Sequence, residues 1–244
     1  MDKNRRHLFI GTIAALAGVP IGTAGAAGAR SLADRRRISG YLRDHAVAKL
    51  QIGAGGAKGY ATWLNTDIEP QAGEAYLDAT KPFPIPDGAL SYIFSEHLFE
   101  HLSYREGGAM LRECRRTLKP GGKIRMATPN LLTLIQLFQD PKSEAARNYM
   151  QGKLGADYWP EELPRTVSPE CVILNYEMRC WGHRFLYDER SLRQSVEQAG
   201  FQSIKAFTPG ESDDPELANL EIRHKVGPHA VNDYETMVLQ AVRP

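Results

Sequence analysis

Leu50-Gln51-Ile52 is a short apolar run that ends abruptly at Gly53-Ala54-Gly55-Gly56, and few folds accommodate such a junction. A strand that runs straight into several glycines leaves bare backbone at its carboxyl end, where a ligand can approach without meeting a side chain. The junction opens a series. Trp63-Leu64-Asn65-Thr66-Asp67 and Glu74-Ala75-Tyr76-Leu77-Asp78 read as a second and third strand, each ending in an aspartate. Leu90-Ser91-Tyr92-Ile93-Phe94 reads as a fourth, after the turn Pro86-Asp87-Gly88. From Arg105 to Leu118 the pattern is that of an amphipathic helix, with Met110, Leu111, Cys114 and Leu118 at helical spacing. Lys119-Pro120-Gly121-Gly122 stops it, and Lys123 to Ala127 is a fifth strand. Strands alternating with helical segments predict an α/β fold, a Rossmann-like doubly wound sheet that is mostly parallel.

The second half changes character. Residues 130–184 contain Tyr158-Trp159-Pro160, Pro164, Pro169 and Trp181-Gly182-His183, and read as a helical insertion or lid. Asp188 to Ala199 is a helix closed by Gly200. Phe201 to Phe207 and Glu235 to Val242 are two last strands joined by a long polar loop, which predicts an antiparallel C-terminal edge hairpin. With 244 residues the chain suffices for one globular domain, placed at 49–244, behind a basic helical linker at 30–48 and an uncharged segment within 1–29. Thirty basic against 29 acidic side chains give a formal charge of +1, so no broad basic field argues for nucleic acid as a partner. Cys114, Cys171 and Cys180 are too few and too scattered for a disulfide framework. No Cys/His spacing resembles a zinc site, so no metal is expected.

Chemistry concentrates at the strand ends. A carboxylate at Asp67 can accept hydrogen bonds from both hydroxyls of a ribose, and one at Asp78 can face an adenine amino group. The competing reading of each aspartate is a turn or helix cap. A dinucleotide fits less well, because few residues separate the glycine turn from the next strand. They leave little room for the long helix whose N-terminus would hold a pyrophosphate.

Taken in order, these motifs resemble the compact class I S-adenosylmethionine (SAM) dependent methyltransferases of bacterial cell-surface polysaccharide clusters. The resemblance runs through Leu50 to Gly56, Gly59-Tyr60, Trp63 to Ile68, and Leu77-Asp78 with Pro82 to Asp87. It continues through Ser95-Glu96-His97-Leu98-Phe99-Glu100-His101-Leu102, Leu118 to Gly122, Trp181 to Asp188 and Ala199-Gly200-Phe201. It implies SAM as co-substrate, with Gly53, Gly55 and Gly56 at its methionine part. Asp67 would then hold the ribose, Asp78 and Ala79 the adenine, and Glu96 and His97 would lie beside the sulfonium. It also implies a sugar or surface-glycan precursor as methyl acceptor.

A hydroxyl acceptor needs a general base near neutral pKa, which makes histidine the natural candidate. His97 comes first and His183, in the insertion, second. His97 and His101 are four apart and would share a helical face beside Glu100, where a packed structural imidazole is the competing reading. Tyr158, Trp159 and Trp181 either shape the acceptor pocket or pack the insertion. The expectation is therefore an O-methyltransferase acting on a small-molecule or glycan acceptor. The alternatives are a non-catalytic SAM-binding scaffold and an NAD-dependent oxidoreductase.

The N-terminus carries a separate signal. Asn4-Arg5-Arg6-His7-Leu8-Phe9 opens an uncharged Gly/Ala-rich stretch to Ala29 that resembles a twin-arginine export signal, with small-residue cleavage sites at Ala24-Gly25-Ala26 or Ala27-Gly28-Ala29. The same stretch is near the ~20-residue length of a membrane span. Arg30, Arg35, Arg36 and Arg37 after it outnumber Lys3, Arg5 and Arg6 before it, which favours a C-terminal domain on the cytoplasmic face of the inner membrane.

Overall fold

A computed structural model describes residues 24–56, 60–155, 159–221 and 233–244, with side chains from residue 32 onward. Most of the uncharged N-terminal stretch, Tyr158 and the end of the long polar loop therefore lie outside the described residues. Among the described residues no helix is long and apolar enough to cross a membrane.

One seven-stranded sheet organises the chain. Its strands are β1 (Lys49–Ile52), β2 (Leu64–Asp67), β3 (Ala75–Tyr76), β4 (Leu90–Glu96), β5 (Leu118–Pro129), β6 (Gln202–Phe207) and β7 (Thr236–Val242). They lie in the order β3-β2-β1-β4-β5-β7-β6. The first five pair in parallel, and β7 pairs antiparallel with both β5 and β6. The expected doubly wound sheet with an antiparallel C-terminal hairpin is thus present, with β6 as its outer strand and β7 tucked inside. Strand order reverses between β1 and β4, which places a crevice at their carboxyl ends, the place where open α/β sheets bind ligands.

The two faces of the sheet are covered differently, because side chains alternate along each strand. On one face Leu50, Ile52, Ile93, Ile124, Met126, Leu239 and Ala241 form an apolar core with helices α1 (Ala24–Asp44), α2 (Tyr104–Thr117) and α6 (Glu189–Gln198). Met110, Leu111 and Cys114 of α2 and Leu192 and Val196 of α6 are the inward positions. The stretch expected as a linker is the end of α1, and it belongs to this core. Ile38 is 1% exposed, Tyr41 Oη donates to Thr62 O at 2.9 Å, and Asp34 accepts from Tyr76 N at 3.2 Å. Burying one isoleucine of this kind stabilises by about 1.5–3 kcal/mol, enough to hold the helix against β3.

The other face carries the row Gln51, Phe94, Arg125 and Gln240 on β1, β4, β5 and β7. The β1–β2 connection contributes no helix to it among the described residues. Instead residues 208–221, between β6 and β7, lie across it. Leu217 and Leu220 pack on Trp63 and Phe94. Lys123 pairs with Asp214 at 2.8 Å, and fully buried Arg125 pairs with Glu221, whose second oxygen lies 2.7 Å from the guanidinium.

Two junctions carry local sequence logic. Ser103 and Glu106 form a reciprocal capping box that starts α2. After α2, β5 begins earlier than the sequence predicts, at Leu118, and passes through Lys119-Pro120-Gly121-Gly122 as an irregularity in its pairing with β4. A Cβ on Gly122 would lie 2.8 Å from Lys119 O, so that turn has no room for a side chain.

The insertion follows the carboxyl end of β5 directly. It holds α3 (Leu131–Gln139), α4 (Glu144–Lys153) and α5 (Pro169–Arg179), which share a small core of Leu134, Leu137, Ala146, Tyr149 and Ile173. Asn130, Ser143 and Asp188 cap α3, α4 and α6 by accepting hydrogen bonds from backbone N–H groups.

Candidate active site

The glycine turn is built to be bare. Gly53, Gly55 and Gly56 have φ of +76°, +64° and +68°, in the left-handed region that side chains avoid. A Cβ on Gly53 would also come within 3.0 Å of the Leu98 side chain, just beyond β4. The N–H groups of Gly53 and Ala54 both donate inward to Thr66 O, at 2.9 and 3.0 Å. These two amides are therefore committed to the end of β2.

The carboxylates lie where the strand ends put them. Asp67 accepts from Gly55 N at 2.8 Å on one oxygen and from Glu69 N at 2.9 Å on the other. It ties the glycine turn to β2, and each carboxylate oxygen retains capacity for a further hydrogen bond. Thr66 and Asp67 pair with Ala75 and Tyr76, which sets Asp78 beside Asp67 at the edge of the same crevice. One Asp78 oxygen accepts from Thr80 N and Thr80 Oγ1, at 2.8 and 2.6 Å. Both aspartates are thus turn caps as well as strand-end carboxylates, and the two readings of each are compatible. Ala79 is buried between them and the core.

Beyond β4 the chain departs from expectation. Glu96 is buried as the last residue of the strand. His97 then adopts φ +49° while its N–H donates to Ala127 O at 2.9 Å, and only Phe99–His101 form a short 3-10 turn. No helical face joins His97 to His101. They converge instead through Glu100. His97 Nδ1 lies 3.2 Å from Glu100 Oε1, and His97 Nε2 lies 3.2 Å from Thr236 Oγ1 at the start of β7. Thr128 at the end of β5 donates to Glu100 Oε2 at 2.9 Å.

The insertion delivers the third histidine. Arg184 N and Phe185 N donate to Glu100 O at 2.8 and 3.2 Å, pinning the segment after α5 to the 3-10 turn. This brings His183 Nε2 to 4.0 Å from Glu100 Oε1 and sets its ring edge-on to that of His101, centroids 4.9 Å apart. His183 Nδ1 donates to Glu177 O at 2.7 Å. Behind it, Lys153 bridges Glu177 and Glu235 at 3.2 and 2.7 Å, and Tyr149 donates to Glu235.

Glu100 is fully buried. Burial alone would push its carboxyl up, but the His97 hydrogen bond and the neighbouring His97, His101 and His183 bring it down to about 2. His183 is moved the other way, because burial pushes it down more than Glu100 pulls it up. Thr128, Thr236 and Glu177 were invisible in sequence. Each sits at a strand or helix position with no motif around it, and only its place at the carboxyl end of the sheet could have singled it out. Trp159 serves the insertion itself, donating from Nε1 to Leu163 O at 2.9 Å with Arg165 over its ring, while Trp181 is exposed.

A Rossmann-like sheet with a glycine turn and two strand-end carboxylates at one crevice defines the fold and its candidate ligand face. The comparisons give it a narrower identity. Residues 50–126 match the family described as "Methyltransferase domain". A protein solved in complex with the Haloferax volcanii methyltransferase activator Trm112 is 13% identical with a TM-score of 0.43, over 90% of this chain and 96% of that one. A SAM-dependent methyltransferase of Archaeoglobus fulgidus is 16% identical with a TM-score of 0.45, over 87% of this chain and 94% of that one. A possible histamine N-methyltransferase of Thermotoga maritima is 14% identical with a TM-score of 0.46, over 90% of this chain and 95% of that one. No curated protein matches. Residues 50–126 thus read as a methyltransferase domain.

Proposed function

We propose that the chain transfers the SAM methyl group to a hydroxyl of a small-molecule or glycan acceptor, with His97 as general base. The observation that carries this is the clamp on His97, which lies between Glu100 and Thr236 at the end of β4. With Nδ1–H donating to the Glu100 carboxylate, Nε2 keeps its lone pair and accepts from the Thr236 hydroxyl. An acceptor hydroxyl that replaces Thr236 at Nε2 meets a base already oriented. The Glu100 carboxylate stabilises the imidazolium that forms.

When bound, SAM supplies a methyl group on a cationic sulfur, and its transfer leaves a neutral thioether. Gly53, Gly55 and Gly56 would admit its amino-acid end, Asp67 would hold the ribose hydroxyls, Asp78 and Ala79 would face the adenine, and Glu96 would border the sulfonium. The acceptor O–H breaks as its oxygen bonds to the methyl carbon, and the proton passes to His97 and then to solvent. In-line alignment and exclusion of water do the rest. The sugar class of the acceptor rests on the resemblance of the motifs alone.

The test is formation of S-adenosylhomocysteine with a panel of hydroxyl-bearing sugars and amines. His97→Ala is expected to lower turnover by about 10²–10⁴-fold, the usual contribution of a general base, while SAM affinity stays within a factor of about two. Turnover that survives in the variant would remove His97 from the chemistry and leave His183.

We also propose that residues 8–29 hold the enzyme at the cytoplasmic face of the inner membrane, where a cytoplasmic methyl donor is available. The arginines after the stretch support this. A cytoplasm-dependent reporter fused at Pro244, with cell fractionation, tests it. A soluble exported form beginning near Arg30 would refute it in favour of the twin-arginine reading.

A further inference from the structure

We propose that Glu100, His101 and His183 form a binding site for one borderline divalent cation of the Zn2+ type. One oxygen of Glu100 and one ring nitrogen of each histidine lie within 4.8 Å of one another. Tetrahedral ligands at about 2.0–2.1 Å from a metal stand about 3.4 Å apart, so side-chain rotations of about 1 Å close the triad.

The arrangement of protons points to a cation. His183 Nδ1 donates to Glu177 O, which fixes the tautomer and turns the Nε2 lone pair toward Glu100 Oε1, 4.0 Å away. That distance is too long for a hydrogen bond, and two acceptors face each other across it. A positive ion between them satisfies both. The supporting shell is that of a metal site. A ligating histidine normally donates its other N–H to a carbonyl or carboxylate, and ligating carboxylates are themselves hydrogen-bonded. Here Glu177 O receives the His183 proton, while Thr128 and His97 hold the two oxygens of Glu100. Two imidazoles with one carboxylate favour Zn2+, Co2+ or Ni2+ over Mg2+ and Ca2+. Three protein ligands leave a fourth position open.

If the methyltransferase reading above holds, that open position lies next to His97 and would take the acceptor oxygen, making its proton easier to remove. The site thereby selects acceptors that present an oxygen able to bind the metal. The binding claim itself does not depend on methyl transfer.

The experiment uses the full, untagged chain stripped with a chelator and titrated with Co2+, followed by visible absorption, and with Zn2+ by calorimetry. One equivalent per chain is expected, with cobalt bands of a nitrogen/oxygen site. His101→Gln and His183→Gln should each weaken binding by at least about 100-fold, the upper end for loss of a mere outer-shell partner. Thr128→Val should weaken it by about 10–100-fold, as an outer-shell change. Thermal unfolding of each metal-free variant checks its fold, and the His101 variant serves if His183→Gln does not fold. Absence of cobalt bands in the wild type overturns the proposal. So does unchanged affinity in a folded histidine variant, or a thiolate charge-transfer band that Cys180→Ser removes. SAM binding by the same metal-free protein is measured separately, so failure of the metal site and failure of the methyltransferase reading give different results.

Discussion

On the proposed reading Asp67 has two jobs for one carboxylate. It holds Gly55 N, which keeps the glycine turn in place, and its remaining capacity would serve the ribose. Asp67→Ala is expected to weaken SAM binding by about 1.5–3 kcal/mol, the range for hydrogen bonds to a charged group. Isothermal calorimetry on a variant whose melting point is close to wild type checks this. Unchanged affinity would reduce Asp67 to a turn cap. At this scale the sequence was legible wherever a turn marks the end of a strand. Gly53, Gly55, Gly56, Asp67 and Asp78 occupy strand ends that the hydrophobic pattern itself marks. Glu100 was not legible as a hub, because its partners Thr128, His183 and Thr236 come from β5, the segment after α5 and β7. Even the link from His97 to Glu100, three residues away, depends on a left-handed His97 that no spacing rule anticipates.

Among the elements, α2 shows how a cap becomes a pH response. The Ser103 hydroxyl and N–H hydrogen-bond the Glu106 carboxylate, and Arg184 adds its charge, which together lower its pKa from the ordinary 4.5 to about 2. A carboxyl depressed in the folded state contributes stability that is full above its unfolded pKa and is lost as pH falls through its folded one. The contribution of Glu106 is therefore expected to fade between about pH 4.5 and pH 2. Glu106→Gln should lower the melting temperature near pH 6 and leave a shallower acid decline over that window, as circular dichroism at a series of pH values would show. An unchanged acid decline would mean that the cap is not formed in solution. The segment 208–221 makes a second element-scale prediction. Glu221→Ala leaves Arg125 charged and buried without its carboxylate, which should cost about 3–5 kcal/mol. Replacing both partners, Arg125→Met with Glu221→Leu, should recover most of that loss in urea unfolding. Nothing in the sequence flagged this pair: Arg125 lies between apolar Ile124 and Met126, and Glu221 sits in a loop that reads simply as polar.

Across the whole molecule the series of strands to β5, the helix before it and the closing hairpin follow directly from periodicity, since period and turn residues agree at each step. Two departures share one cause, long-range cover that local pattern does not encode. The basic stretch before β1 reads as a linker because its charges dominate, yet Ile38 and Tyr41 dock it on the sheet. The loop before β7 reads simply as polar, and the partners of its charges on other strands are not marked in the pattern. That loop covers the face opposite α2 and α6, and the β1–β2 connection can stay short. A short connection whose first amides turn inward to Thr66 suits an adenosyl ligand without a phosphate. Titrating SAM, S-adenosylhomocysteine and NAD separately into the purified chain by calorimetry tests that account most directly. Saturable one-to-one binding of SAM and S-adenosylhomocysteine with no heat from NAD is the predicted result, and saturable NAD binding without SAM binding would contradict it.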